Sequence, residues 1–313
     1  MTHGSHEAFV AFGGIDWAEA THDVCLQAAG ATKREGLTLE HTPEAIEAWV
    51  STLRTRCNGP PIAVCLERTQ GPLVSALRTY DFLGLFPLNP LTLARSREAF
   101  TPRRAKDDPT DAQLQLELLL THRDTLPPLQ PPRPTMRALD QLVEHRRRVV
   151  NDTVRITNRL TSTLKHYFPQ VRPWFQAKDT PLFCDFLSRW PTRKAAPLAR
   201  RSTLETFCRD HQVRAADVVA QRLHALKAAL PLTTDEGISA PHAVLVQALD
   251  NPLRVTLEAM ATFANAIVQR APSHPAFFLF QALPGAGPVF ASWRLVACGE
   301  QRERYASAAA RPK

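Results

Sequence analysis

The stretch RAKDDPTDAQ, residues 104–113, places Asp107, Asp108 and Asp111 just after a basic run and just before the apolar run QLQLELLL. Asp108 and Asp111 are three apart, so a helix starting here sets them on one face, one turn apart. Two readings follow. In the first they serve the helix: Asp108 suits an N-cap, Pro109 the first helical position, and Asp111 the positive helix end. In the second they share a cation with acids from elsewhere, because carboxylates held close repel one another unless positive charge lies between them. Asp107 is expected to be solvated and is assigned no metal.

Working outward, the preceding chain supplies candidates. AFVAFGGIDWA predicts a strand carrying Asp16 near its end. THDVCLQAA alternates, with Val24, Leu26 and Ala28 on one side and Asp23, Cys25 and Gln27 on the other. A third strand near GLTLEH completes an expected antiparallel meander. A helix capped by Thr42, with Pro43 first, buries Ile46, Trp49, Val50 and Leu53. IAVCLE then reads as a buried strand ending at Glu67, followed by a helix in LVSALRTY and a strand in LGLFPLNP. This is α/β alternation. If the strands bearing Asp16 and Glu67 are neighbours, both carboxylates emerge at one sheet edge, and the helix at Asp108 delivers two more. Singly, each acid has a plainer reading: Asp16 as a strand end, Glu67 as half of a surface ion pair with Arg68. Jointly they suit two-metal phosphoryl transfer, in which carboxylates hold the hard cations and the cations stabilise the reacting phosphate.

Residues 126–134, LPPLQPPRP, read as a proline-rich linker. A long helix is predicted from about Thr135 to Phe168, with Leu139, Val143, Val150, Leu160 and Leu164 in heptad register and Arg146, Thr153 and Thr157 interrupting it. That pattern fits one side of a helical hairpin or a dimer coil. Eight Lys/Arg oppose three acids between Arg133 and Lys165, which makes this helix a candidate phosphate-binding surface. Arg146, Arg147 and Arg148 lead that set. Arg95, Arg97, Arg103, Arg104 and Lys106, before the acidic motif, are placed to guide a nucleic-acid backbone. The stretch PGAGP at 284–288, with Gly285 and Gly287, suits a tight turn whose amides meet a phosphate. Trp174, Phe175, Phe277, Phe278 and Phe280 are expected in the core. The expected domains are 8–125 catalytic, 126–134 linker, 135–270 helical or coiled-coil, and 271–313 the start of a C-terminal domain.

Composition narrows the class. The 313 residues carry a formal net charge of +8, which favours polyanionic partners. The six cysteines form no C-x-x-C pair and the histidines no H-E-x-x-H, against a zinc site. No apolar run is long enough to span a bilayer, and MTHGSHEAFV lacks a signal peptide's pattern. No membrane association and a cytoplasmic location are therefore expected. A sugar-kinase or ATPase relative of the same sheet topology should carry phosphate-binding glycine loops, and Gly13-Gly14 is too slight for one.

Taken in order, GIDWAEATHDV around Asp16, VCLERTQGPL around Glu67, LNP at 88–90 and AKDDPTDA around Asp108 and Asp111 resemble the bacterial transposases of the insertion-sequence-110 family. PGAGP resembles the start of that family's C-terminal domain. The resemblance implies an RNase H-like (RuvC-like) α/β N-terminal domain followed by a mainly α-helical region with a long helix. It implies a recombinase that moves a DNA element. Its catalytic acids and metal ligands would be Asp16, Glu67, Asp108 and Asp111, with Mg2+ (or Mn2+) as the metal. The implied partners are DNA, a non-coding guide RNA from the same element, and further copies in a homo-oligomer. The family's C-terminal domain also carries a nucleophilic serine beside a glycine. No such serine is visible here: Ser292 comes too early, Ser307 has no adjoining glycine, and the chain is expected to be C-terminally truncated. A stand-alone nuclease or resolvase, and a non-catalytic nucleic-acid-binding chain, remain as alternatives.

Overall fold

Short apolar strands and proline-started helices alternate through the first 122 residues, and they fold as that alternation requires. The computed structural model describes residues 9–57, 59, 61–100, 108–130, 132–192, 201–212, 220, 224–225, 228, 230 and 232–300, with the backbone alone for 98–100, 108–110 and 201. The chain divides into two compact units, Met1–Pro131 and Pro132–Lys313.

In the first unit, β1 (Ala11–Trp17), β2 (Thr21–Ala28) and β3 (Arg34–Glu40) form the expected antiparallel meander. β4 (Ile62–Leu66) and β5 (Leu83–Pro87) join in parallel on the other side of β1, giving the order β3-β2-β1-β4-β5. α1 (Pro43–Arg56) starts as predicted: Thr42 Oγ1 accepts the Ala45 amide at 3.2 Å. Its Ile46, Trp49, Val50 and Leu53 join α2 (Pro72–Leu77) in a core on one sheet face, against Ile15, Val24, Val64 and Leu85. α4 (Asp108–His122) covers the other face, packing Ala112, Leu114, Leu116 and Leu118 against Cys25, Ala63, Cys65 and Phe86. The Leu129 amide then bonds the Leu85 carbonyl at 2.7 Å, covering part of the β5 edge. This three-layer mixed sheet has the RNase H-like form that the motifs imply.

Two details go beyond the sequence pattern. Cys25, on the Asp23 side of β2, is buried because α4 lies over that face. The basic segment that follows LNP is helical, α3 (Pro90–Phe100). LNP itself explains the start. Leu88 is buried and its amide bonds the Leu66 carbonyl, Asn89 Oδ1 accepts the Leu91 amide at 2.9 Å, and Pro90 fills the first position.

In the second unit α5 (Pro134–Tyr167) pairs with α9 (Glu236–Arg270). Met136, Leu139 and Val143 meet Ile267 and Ala271, while Leu160 and Leu164 meet Val246, Leu249 and Leu253, so the two run antiparallel. The heptad stripe thus finds its partner within the same chain, as one side of a helical hairpin. The interrupting threonines fit because their hydroxyls turn back onto the helix: Thr153 donates to the Val149 carbonyl at 2.9 Å and Thr157 to the Thr153 carbonyl at 2.8 Å. α6 (Val171–Trp174), α7 (Pro181–Arg189) and α8 (Arg201–Asp210) close one end of the hairpin with an aromatic core. α10 (Phe277–Gln281) and α11 (Pro288–Cys298) close the other. Trp174, Phe175 and Phe277 are buried as expected, but Phe278 is 64 % exposed, because the short α10 turns only one flank inward. Among the described residues no helix is long and apolar enough to cross a membrane.

Candidate active site

Asp16 reaches the site through the strand register. β1 and β4 pair in parallel up to Ile15 with Leu66, so Asp16 and Glu67 are the next residues on neighbouring strands, which lie about 4.8 Å apart. Both are partly exposed at the carboxyl edge of the sheet, where open α/β sheets place their ligands.

Gly14 shows how α4 meets that edge. A side chain there would strike the Ala112 carbonyl oxygen at 2.1 Å and the Leu116 amide nitrogen at 2.6 Å, so only glycine admits this approach. Alternation puts Asp16 on the same face as Gly14. Phe12, also on that face, packs against the cluster of Cys25, Ala112 and Leu116, and the Arg123 guanidinium lies 6.0 Å from the Phe12 ring centroid. The helix therefore runs antiparallel to β1. Its first turn, Asp108 to Asp111, stands at the strand end that carries Asp16.

Asp111 is buried, its side chain 5 % exposed, and the Arg97 guanidinium of α3 grips both its oxygens, Nε to Oδ1 at 2.8 Å and Nη2 to Oδ2 at 2.5 Å. The Asp108 backbone opens α4, and its side chain lies outside the described residues, as do Arg103, Arg104, Lys106 and Asp107. Among the described residues no three His, Cys, Asp or Glu side chains stand close enough to hold one metal ion. The donor types nevertheless suit a hard divalent cation. They are carboxylates alone, and the buried one already takes a cation as its partner.

Sequence reasoning missed two features. Asp23 is the register partner of Asp16 on β2, so a further carboxylate lies on the α4 side, held by a hydrogen bond from the Thr38 hydroxyl at 3.0 Å. The alternation of β2 had placed it on that face, and only the register set it opposite Asp16. The second is Arg68. It stacks over the Trp17 ring, 4.4 Å from the centroid, where an ion pair with Glu67 had been the plain reading. Trp17 in turn lies parallel to His22, whose Nδ1 accepts the Ala18 amide at 3.3 Å and whose Nε2 meets His41 Nδ1 at 2.8 Å. Burial, and then His41, lower the His22 pKa, keeping the ring neutral.

Of the candidate nucleic-acid contacts, Arg95 is exposed on α3. On α5, Glu144 accepts from both Arg147 and Arg148, at 2.7 Å and 3.0 Å. Arg146 is partly buried with its Nε lacking a partner among the described residues. It shares a groove of about 540 Å³ with Val143, Arg147, Gly287, Phe290 and Trp293. Gly285 takes the left-handed φ of 73°, and the turn uses two of its own amides, Ala286 to the Leu283 carbonyl and Gly287 to the Gly285 carbonyl. The first turn of α11 has no side-chain cap at Gly287. Ser292 is fully buried, donating to the Pro288 carbonyl at 2.8 Å, and Ser307 lies outside the described residues.

Comparison with known proteins matches residues 13–169, half of the chain, to the model of the family described as Transposase, DEDD_Tnp_IS110. A Streptomyces coelicolor protein named as the mini-circle transposase for IS117 is 28 % identical over 97 % of this chain and 75 % of its own length. A Sinorhizobium fredii protein named as transposase y4uE is 26 % identical over 66 % of this chain and 58 % of its own length. Transposases act on DNA, and this family works with a divalent metal. The chain belongs to the DEDD transposases of the IS110 insertion-sequence family.

Proposed function

We propose that the first unit carries divalent-metal-dependent phosphodiester cleavage and strand transfer on the ends of an insertion sequence. Asp16, Glu67, Asp108 and Asp111 would hold the metal, Mg2+ or Mn2+. The observation that carries this reading is that Asp16 and Glu67 directly follow the last register pair of β1 and β4, Ile15 with Leu66, at the edge where the first turn of α4 arrives. When bound, the metal supplies activation of the attacking oxygen and neutralisation of charge developing on the phosphate. The chain's own residues do the rest. The two strands fix the spacing of the acids, α4 brings Asp111, and Asp23 adds negative charge that favours cations there. Arg95, Arg103, Arg104 and Lys106 draw the DNA backbone toward the edge. Arg146, Arg147, Arg148 and the Gly285–Gly287 turn hold nucleic acid on the second unit, the guide RNA included. The chain acts as a homo-oligomer.

A second reading, a chain that binds nucleic acid without cutting it, is favoured by one observation: Arg97 already occupies Asp111. Incubating the purified chain with element-end DNA and Mg2+ or Mn2+ separates the two. Cleavage that falls by more than about a hundredfold in Asp16→Asn, Glu67→Gln and Asp111→Asn supports the first, by analogy with losses at metal-site residues. DNA binding without cleavage in the unaltered chain supports the second.

A further inference from the structure

We infer that Arg97 competes with the divalent cation for the Asp111 carboxylate, so that Arg97 must release Asp111 before the metal site is complete. This rests on the reading of Asp111 as a metal ligand. A residue that orients a ligating carboxylate bonds one oxygen and leaves the other for the metal. Arg97 takes both, at 2.8 Å and 2.5 Å, in the planar fork that matches a carboxylate. A guanidinium stays charged at any working pH, so it cannot lose its proton to tolerate a dication beside it. It has to move.

The local architecture allows that movement. The Arg97 side chain is 33 % exposed and that of Asp111 only 5 %, so the open side of the pair is the arginine's. Leu93, one turn earlier on the same face of α3, is 1 % exposed. It anchors the helix while the arginine swings out. Until then Arg97 balances a buried carboxylate that would otherwise lack a counter-charge. The acids are thereby kept from repelling one another, at the cost of a higher metal concentration for loading.

Electron paramagnetic resonance of free Mn2+, titrated into the full chain without DNA, reads the competition directly. Arg97→Gln removes the charge and is expected to tighten Mn2+ binding by about tenfold, the scale of one charge-assisted hydrogen bond. Arg97→Lys keeps the charge but loses the fork, and a smaller tightening is expected. Circular dichroism checks that each variant folds; if Arg97→Gln does not, Arg97→Lys carries the test alone. Binding that is unchanged or weaker in the folded variants overturns the competition. Asp111→Asn tells this failure from that of the site itself. If it abolishes Mn2+ binding while the arginine variants change nothing, the site stands and the competition falls. If it leaves binding unaltered, or if neither the unaltered chain nor Arg97→Gln binds Mn2+, both fall.

Discussion

The Arg68 guanidinium stacks 4.4 Å from the centroid of the Trp17 ring, each one residue beyond an acid, Glu67 and Asp16 respectively. Trp17 packs against the core on the α1 face of the sheet, opposite the face on which Gly14 meets α4. The stack ties the ends of β1 and β4 together where backbone pairing stops. Trp17→Ala removes that tie, and Trp17→Phe keeps a ring. The alanine variant is expected to lose about 2 kcal/mol in urea denaturation, less than a fully buried tryptophan would. Its metal-dependent DNA cleavage is expected to fall at least about tenfold, as for loss of an outer-shell support. The phenylalanine variant should retain most of both. An alanine variant that cuts DNA like the parent would show that the stack does not position the acids.

Gly14→Ala sets a methyl group 2.1 Å from the Ala112 carbonyl oxygen, so α4 has to lift from the sheet. Overpacking against backbone, which cannot rotate away, is expected to cost about 3 kcal/mol. The urea midpoint measures it. Cleavage should fall further than stability alone explains, because the same shift carries Asp111 away from Asp16. A variant as stable as the parent would contradict the packing of α4 on β1.

Much of this was legible in the residues themselves. The meander, the Thr42 cap and its buried stripe, and the opening of α4 at Asp108 all follow from short-range patterns. So does the location of Asp16 and Glu67 at strand ends. The misses share a cause, which is that each needed a contact distant in sequence. The register partner of Asp16, Asp23, could not be fixed within THDVCLQAA, because the pairing of β2 with β1 sets it. Arg97 lies in a basic run that reads as a guide for a nucleic-acid backbone, and its actual partner is set by the packing of α3 beside α4. Phe278 was misplaced for the converse reason. An FFLF run looks like core, but a helix of five residues turns only part of it inward.

His22 makes the first unit sensitive to acid. Burial, then His41, hold its folded pKa below the ordinary value, while the unfolded ring takes its proton near about pH 6.5. The contribution is therefore whole above that pH and is lost as pH falls toward the lowered folded value. Urea midpoints from about pH 7.5 to about pH 5 should decline for the parent and decline less for His22→Gln. Equal slopes in the two would show that His22 does not carry the dependence.

Glu144 restrains two of the arginines on α5. The Arg147 hydrogen bond, working against partial burial and helped by Arg148, holds its carboxyl down at about 2. Its support of the helix is thus complete above about pH 4.3 and disappears as the pH falls to the folded value. Solvent-facing pairs of this kind contribute little to stability. Glu144→Gln should cost that little in stability while freeing both guanidinium groups. Fluorescence anisotropy should then show tighter DNA binding at low salt and a steeper salt dependence. Unchanged affinity would remove Arg147 and Arg148 from the DNA-contacting surface.

Anomalous scattering from crystals soaked in Mn2+ tests the convergence of the acids most directly. A peak at the carboxyl edge of β1 and β4 is expected, with oxygens of Asp16, Glu67 and the Asp108–Asp111 turn about 2.0–2.2 Å from the metal and Arg97 turned away. Mn2+ bound elsewhere, or bound there without Asp16 and Asp111, would contradict it.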